Sequence, residues 1–156
     1  MLSRINYIAD NLVKELQREF IEQGHNASGR GVASIRQESE LNGRDLNVKI
    51  FGLDYLQYVN DGRKAGSMPP VEAIREWVEI KGIASGKEAD SAAWAIATAI
   101  KREGSPTQGA YQYTNNGRRT EFIEHTMNEH LQRIISQIRT ALMAIYREEL
   151  IKAVVA

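Results

Sequence analysis

The chain has 156 residues, 42% of them apolar and 26% charged, the make-up of one ordinary globular domain able to bury a core without staples. Its 20 basic and 20 acidic residues cancel, so no net field draws it to nucleic acid or to an anionic membrane. Cysteine is absent, which excludes disulfides, thiol nucleophiles and cysteine metal sites and suits a reducing cytosol.

The first residues, Met1-Leu2-Ser3-Arg4-Ile5-Asn6, lack the basic stretch and apolar run of a signal peptide. No window approaches the roughly 18 consecutive apolar residues of a membrane span. Ile5, Ile8, Leu12, Leu16 and Phe20 recur at steps of three and four, which predicts an amphipathic helix over about 3–23, stopped by Gly24. Residues 24–31 read as a loop. The period then changes to two: Leu46, Val48 and Ile50 alternate with polar residues, as in a half-buried strand. Asn42-Gly43 is a hairpin turn signal. A two-residue turn there predicts a hairpin of 32–41 and 44–51, with Ile35 opposite Ile50 and Ser39 opposite Leu46.

Tyr55-Leu56-Gln57-Tyr58-Val59 suits a third strand or a helical turn. A loop over 61–70 closes on Pro69-Pro70, and proline fits the first position of a helix because its missing N–H has no partner there. Val71, Ile74, Trp77 and Val78 form the face of a helix over 70–81 that Gly82 ends. Asp90-Ser91 is a candidate cap for an alanine-rich helix stopped by Gly104; its small residues let another backbone approach closely. Tyr111 and Tyr113 alternate, which allows a short strand. From Thr120 to about Lys152 there is no Gly or Pro, and Met127, Leu131, Ile135, Ile138, Leu142 and Ile145 form a long stripe. A helix of that length runs roughly 45–50 Å, against about 30–35 Å for a compact domain of this size. It must therefore break in two or project, and a projecting apolar stripe favours oligomerisation. The predicted fold class is α+β: a small antiparallel sheet, a hairpin plus one or two strands, packed by N-terminal, central and long C-terminal helices in a single domain over 1–156.

Residues that carry chemistry are few. His125 and His130 stand five apart, which turns the second about 140° from the first around a helix. The HExxH zinc helices need a gap of four, so both histidines read as solvated polar residues. His25 reads as a surface turn residue. Gly29-Arg30-Gly31 lacks the Gly-Lys-[Ser/Thr] ending of a phosphate loop and reads as a flexible turn. There is no Gly-x-Ser-x-Gly elbow. Arg30, Arg36, Arg44, Arg63, Lys64, Arg118 and Arg119 fall in loops and hairpin ends, where they suit phosphates, a neighbouring subunit's carboxylates, or water. No catalytic residue, metal ligand or cofactor is expected.

The most distinctive stretch is Val59-Asn60-Asp61-Gly62-Arg63-Lys64-Ala65-Gly66-Ser67-Met68-Pro69-Pro70, followed by Ile74 and by Trp77 through Lys81-Gly82-Ile83. A tyrosine segment, Gly-Arg-Lys-x-Gly, Pro-Pro and Ile-x-x-Trp in this order resembles the tail-completion or neck (head–tail connector) proteins of long-tailed phages and prophages. Ala27-Ser28-Gly29-Arg30-Gly31 through Ser34-Ile35 is similar to that family's approach to its first strand. Trp94-Ala95-Ile96-Ala97 through Gly104-Ser105 is similar to its alanine-rich helix, and Phe122-Ile123 to the opening of its long last helix. Ala65 departs from the family, where proline is frequent, and implies a softer loop. The resemblance covers about residues 1–150. It implies a non-enzymatic virion protein, assembled in the host cytoplasm into a ring of six or twelve copies between head and tail. Portal or adaptor proteins would lie on one side, with the tail tube or tail terminator on the other. The ring would enclose the DNA channel without sequence-specific binding and with no membrane contact. Arg30, Gly62, Arg63, Lys64, Gly66 and Met68 are then the candidate interface residues, and Pro69, Pro70, Ile74 and Trp77 the structural anchors. A second reading of the same residues is a prophage-encoded binding or adaptor module with a DNA or protein partner.

Overall fold

The computed structural model describes residues 2–42 and 45–155. Its spine is an antiparallel pair of helices, α1 (Leu2–Glu22) and α6 (Phe122–Val155). The stripe read from the sequence is the face that packs: Ile5, Ile8, Leu12, Leu16 and Phe20 are all buried. Phe20 meets Phe122 edge-on at 5.4 Å, and Ile134 and Ala141 continue the contact along α6. Ile35 and Leu56 close the core from the side. Each such side chain contributes about 1.5–3 kcal/mol by leaving water.

α6 does not break. Its 34 residues run about 50 Å, against about 31 Å for the 21 residues of α1. Arg133 meets Glu15, and continuing that register puts the start of α1, Leu2, opposite about position 146. The last turns of α6 therefore project beyond the pair. Its other end is held by Asn60, which is 4% exposed. The Asn60 side-chain oxygen accepts the Ile123 N–H (3.0 Å) and its carbonyl accepts the Glu121 N–H (2.7 Å). A residue remote in sequence thus satisfies N–H groups that a helix start leaves unpaired.

The sheet is one hairpin, β1 (Arg36–Asn42) with β2 (Asp45–Phe51). Its register corrects the sequence expectation by two residues: Gln37, not Ile35, pairs with Ile50, and Ser39 pairs with Val48. Residues 30–34 coil into a short helix, α2 (Arg30–Ser34), instead of starting the strand. Ile35 ends that helix at 4% exposure, so it belongs to the core and not to the ladder. Gln17 on α1 holds this turn, donating to the carbonyls of Val32 and Ile35 at 3.1 Å each. Asn42 pairs with Asp45; Gly43 and Arg44 lie outside the described residues. On the apolar face of β2, Leu46 is half-buried as expected, but Val48 and Ile50 are exposed.

Tyr55–Val59 resolves to helix, as part of α3 (Tyr55–Asp61), followed by α4 (Val71–Ile80) and α5 (Gly86–Glu103). Tyr111 and Tyr113 lie in a 3-10 helix, Gln108–Tyr113, not in a strand. Beyond the hairpin, the strand-like pairing among the described residues is a single bridge between Arg63 and Ser105. α5 starts at Gly86, before the expected Asp90-Ser91 cap. Asp90 sits inside the helix and pairs with Arg75 of α4 at 2.5 Å. Ala89, Ala93 and Ala97, four apart and fully buried like Val78, let α4 lie close on α5. The architecture is α+β, with a small antiparallel sheet and a long C-terminal helix.

Candidate assembly surfaces

The segment 62–70 is a loop that two glycines permit and α5 holds. Gly62 ends α3 at φ 75°; a Cβ there would lie 2.5 Å from the Ser105 carbonyl oxygen, so no other residue allows the approach. The next residue, Arg63, exchanges backbone hydrogen bonds with Ser105 (2.7 and 2.8 Å). The Gly66 N–H donates to the Lys101 carbonyl at 2.8 Å. The Arg63 guanidinium donates to Ser67 Oγ (3.0 Å) and to the Met68 carbonyl (3.3 Å), so it braces its own loop. Lys64 is exposed and Met68 half-buried. Pro70 precedes the first turn of α4, with Pro69 and Ile74 half-buried beside it. Trp77 is half-buried, edge-on to Tyr113 at 5.9 Å, while the fully buried residue of α4 is its neighbour Val78.

Arg30 stands apart from that loop. It bonds Glu76 on α4 at 2.6 Å and Ser28 in its own turn. α4 therefore separates the two arginine-bearing segments: 62–70 runs into its start, and 24–30 is tied to its end, where Lys81 Nζ donates to the Asn26 carbonyl at 2.6 Å.

Beneath the second segment lies a polar cluster not anticipated from the sequence. Gln23 is fully buried and donates to Glu19 (2.9 Å) and the Thr120 carbonyl (3.1 Å). Asn116 donates to the same Glu19 carboxylate at 3.0 Å. Arg119 donates to the Gln23 carbonyl at 2.7 Å. His25 is no surface turn residue: its ring packs on Phe20 at 5.3 Å and bonds the Gln23 side-chain oxygen at 3.1 Å. Burial first, then the Arg119 charge, pull its pKa from 6.5 to about 3. Burial likewise lowers Lys81 and Arg119. A signal was present in the sequence. Gln23 falls three residues after Phe20, on the core face of α1, where a polar residue needs a buried partner.

His130 also departs from expectation. It is 8% exposed, with Arg133 at 3.2 Å on one ring nitrogen and Glu15 at 3.8 Å from the other. His125 turns elsewhere, to Arg118 at 2.8 Å. Among the described residues no group of three His, Asp or Glu side chains is placed to hold a metal ion, and no helix is long and apolar enough to cross a membrane.

Among the apolar features left uncovered in the described residues are a groove and a helical stripe. An open groove of about 400 Å³ lies between the end of β2, α3 and the start of α6, lined by Ile50, Leu53, Leu56, Phe122, Ile123 and Met127. At the far end of α6, Met143, Tyr146, Leu150 and Val154 are exposed and follow one another at steps of three, four and four, on a single helical face. Met143 is two residues, about 200°, from the buried Ala141. The stripe therefore faces away from α1.

No protein-family model, curated protein or solved structure matches this chain.

Proposed function

We propose that this chain is a structural subunit of the ring that joins a DNA-filled phage head to its tail, acting by assembly and not by catalysis. The observation that carries the reading is α6, an unbroken helix that outruns the domain packed on it and carries exposed apolar side chains at its end. A helix with an outward apolar face gains little as part of a lone domain and much once a neighbouring subunit covers it. The ordered series of motifs supports the same reading: the Gly62-Arg63-Lys64 loop, Pro69-Pro70, Ile74, Trp77, the alanine-rich α5 and Phe122-Ile123 opening the last helix. Net neutrality lets copies approach one another without mutual repulsion. Arginines on two sides of α4 offer donors to neighbouring carboxylates, or to phosphates lining a channel. Partners on this reading are further copies of the chain, portal or adaptor proteins above, and the tail tube or tail terminator below.

The test is to incubate the protein with isolated tail tubes and with DNA-filled heads of the same phage and to image the products. A ring on the tube end or beneath the portal is the expected result. Absence of binding to either, under conditions where heads and tails join, would refute the reading.

A further inference from the structure

We propose that the outward stripe at the end of α6 in one copy docks into the apolar groove beside β2, α3 and the start of α6 in the next copy. The proposal rests on the ring reading and deepens it by naming both halves of the subunit contact.

The two surfaces match in chemistry. The groove is apolar, and Leu53 and Ile123 on its rim are 46% and 40% exposed. The stripe presents Met143, Tyr146, Leu150 and Val154 on one face, with Ile151 and Val155 beside it. Spacings of three, four and four are those of a helix laid in a groove. Charge agrees as well, since Arg147 extends from the stripe's side of the helix and Asp54 stands among the groove residues.

The occupant is a second copy for a geometric reason. Met127 in the groove and Leu150 in the stripe lie about 35 Å apart along one unbroken helix. A subunit cannot place its own stripe in its own groove, yet every subunit carries both. Two different patches that fit each other make a heterologous contact, which repeats around a ring.

The chain's lack of cysteine permits a clean test by disulfide trapping in the full-length protein. Leu53→Cys and Leu150→Cys variants are oxidised separately, mixed, and combined in one chain, with Glu72→Cys, exposed on α4, setting the collision background. The expected result is a dimer from the mixture, a ladder of higher species from the double variant, and background from Leu150→Cys alone. Dimers of Leu150→Cys alone would show stripe-to-stripe contact and overturn the proposal, as would background in every sample. The two readings fail separately. Protein that forms rings on tails with no 53–150 cross-link sinks the docking contact and leaves the neck assignment standing. Cross-linked ladders that ignore both tubes and heads do the reverse.

Discussion

His25 makes the fold acid-sensitive, and the size of the effect follows from its surroundings. Its ring is packed on Phe20 and faces Arg119 and Lys81, and burial with those charges lowers its pKa from 6.5 to about 3. The carbonyl of Arg119 opposes the shift only in part. Between those two values the unfolded chain binds a proton at this residue and the folded chain does not. Stability is therefore full above pH 6.5 and falls as the pH drops toward 3. At pH 5 the linkage relation gives a loss of about 2 kcal/mol, or about 1–2 once the ring's partial contact with water is allowed for. That is a large share of the 5–15 kcal/mol typical of a domain. Urea unfolding of the wild type and of His25→Gln at pH 7.5 and pH 5 measures it. Gln does not titrate, keeps a donor for the Gln23 oxygen, and leaves the carboxylates and the other two histidines to contribute equally in both proteins. The wild type should lose about 1–2 kcal/mol more than the variant between the two pH values. Equal losses would mean that His25 is solvated at its normal pKa and that the polar cluster is not closed.

Gly62→Ala forces a Cβ against the Ser105 carbonyl at a positive φ and should cost about 2 kcal/mol or more, whereas Gly82→Ala, at φ 66° in open space, should cost about 1; thermal melts compare the two. Ala93→Leu, in the fully buried α4–α5 contact, should destabilise by about 1–3 kcal/mol through overpacking, and an unchanged melting temperature would contradict the close approach of the two helices. Trp77→Ala should cost about 2–3 kcal/mol, below the range of a fully buried aromatic, because the ring is half-buried against Tyr113. Arg63→Glu loses two hydrogen bonds at the surface and should cost under about 1 kcal/mol while impairing assembly; particles that assemble normally with Glu at 63 would remove this loop from the interface.

The helices were legible because one local pattern fixes them. The three-and-four spacing from Ile5 to Phe20 is sufficient to define α1 and its buried face, Pro-Pro and Gly82 bracket α4, and the absence of Gly and Pro after Thr120 foretold a long last helix. What remained undecided were choices between arrangements of equal local merit. Tyr55–Val59 fits strand and helix alike, and only the core contact of Leu56 and the cap that Asn60 supplies to α6 select helix. The hairpin register looked settled by Asn42-Gly43, yet Ile35 is drawn into the core at the end of α2 and the ladder pairs two residues further on. His25 sits in a glycine-rich stretch that reads as surface, and the charges that help burial to lower its pKa, Arg119 and Lys81, lie far along the chain. Nor does periodicity tell an inward stripe from an outward one on α6. That distinction appears only once α1 is seen to cover the side of Ile134 and Ala141, leaving Met143, Tyr146, Leu150 and Val154 in water. Local spacing determines which residues share a face; which face is covered, and by what, depends on long-range contacts that no short window of sequence contains.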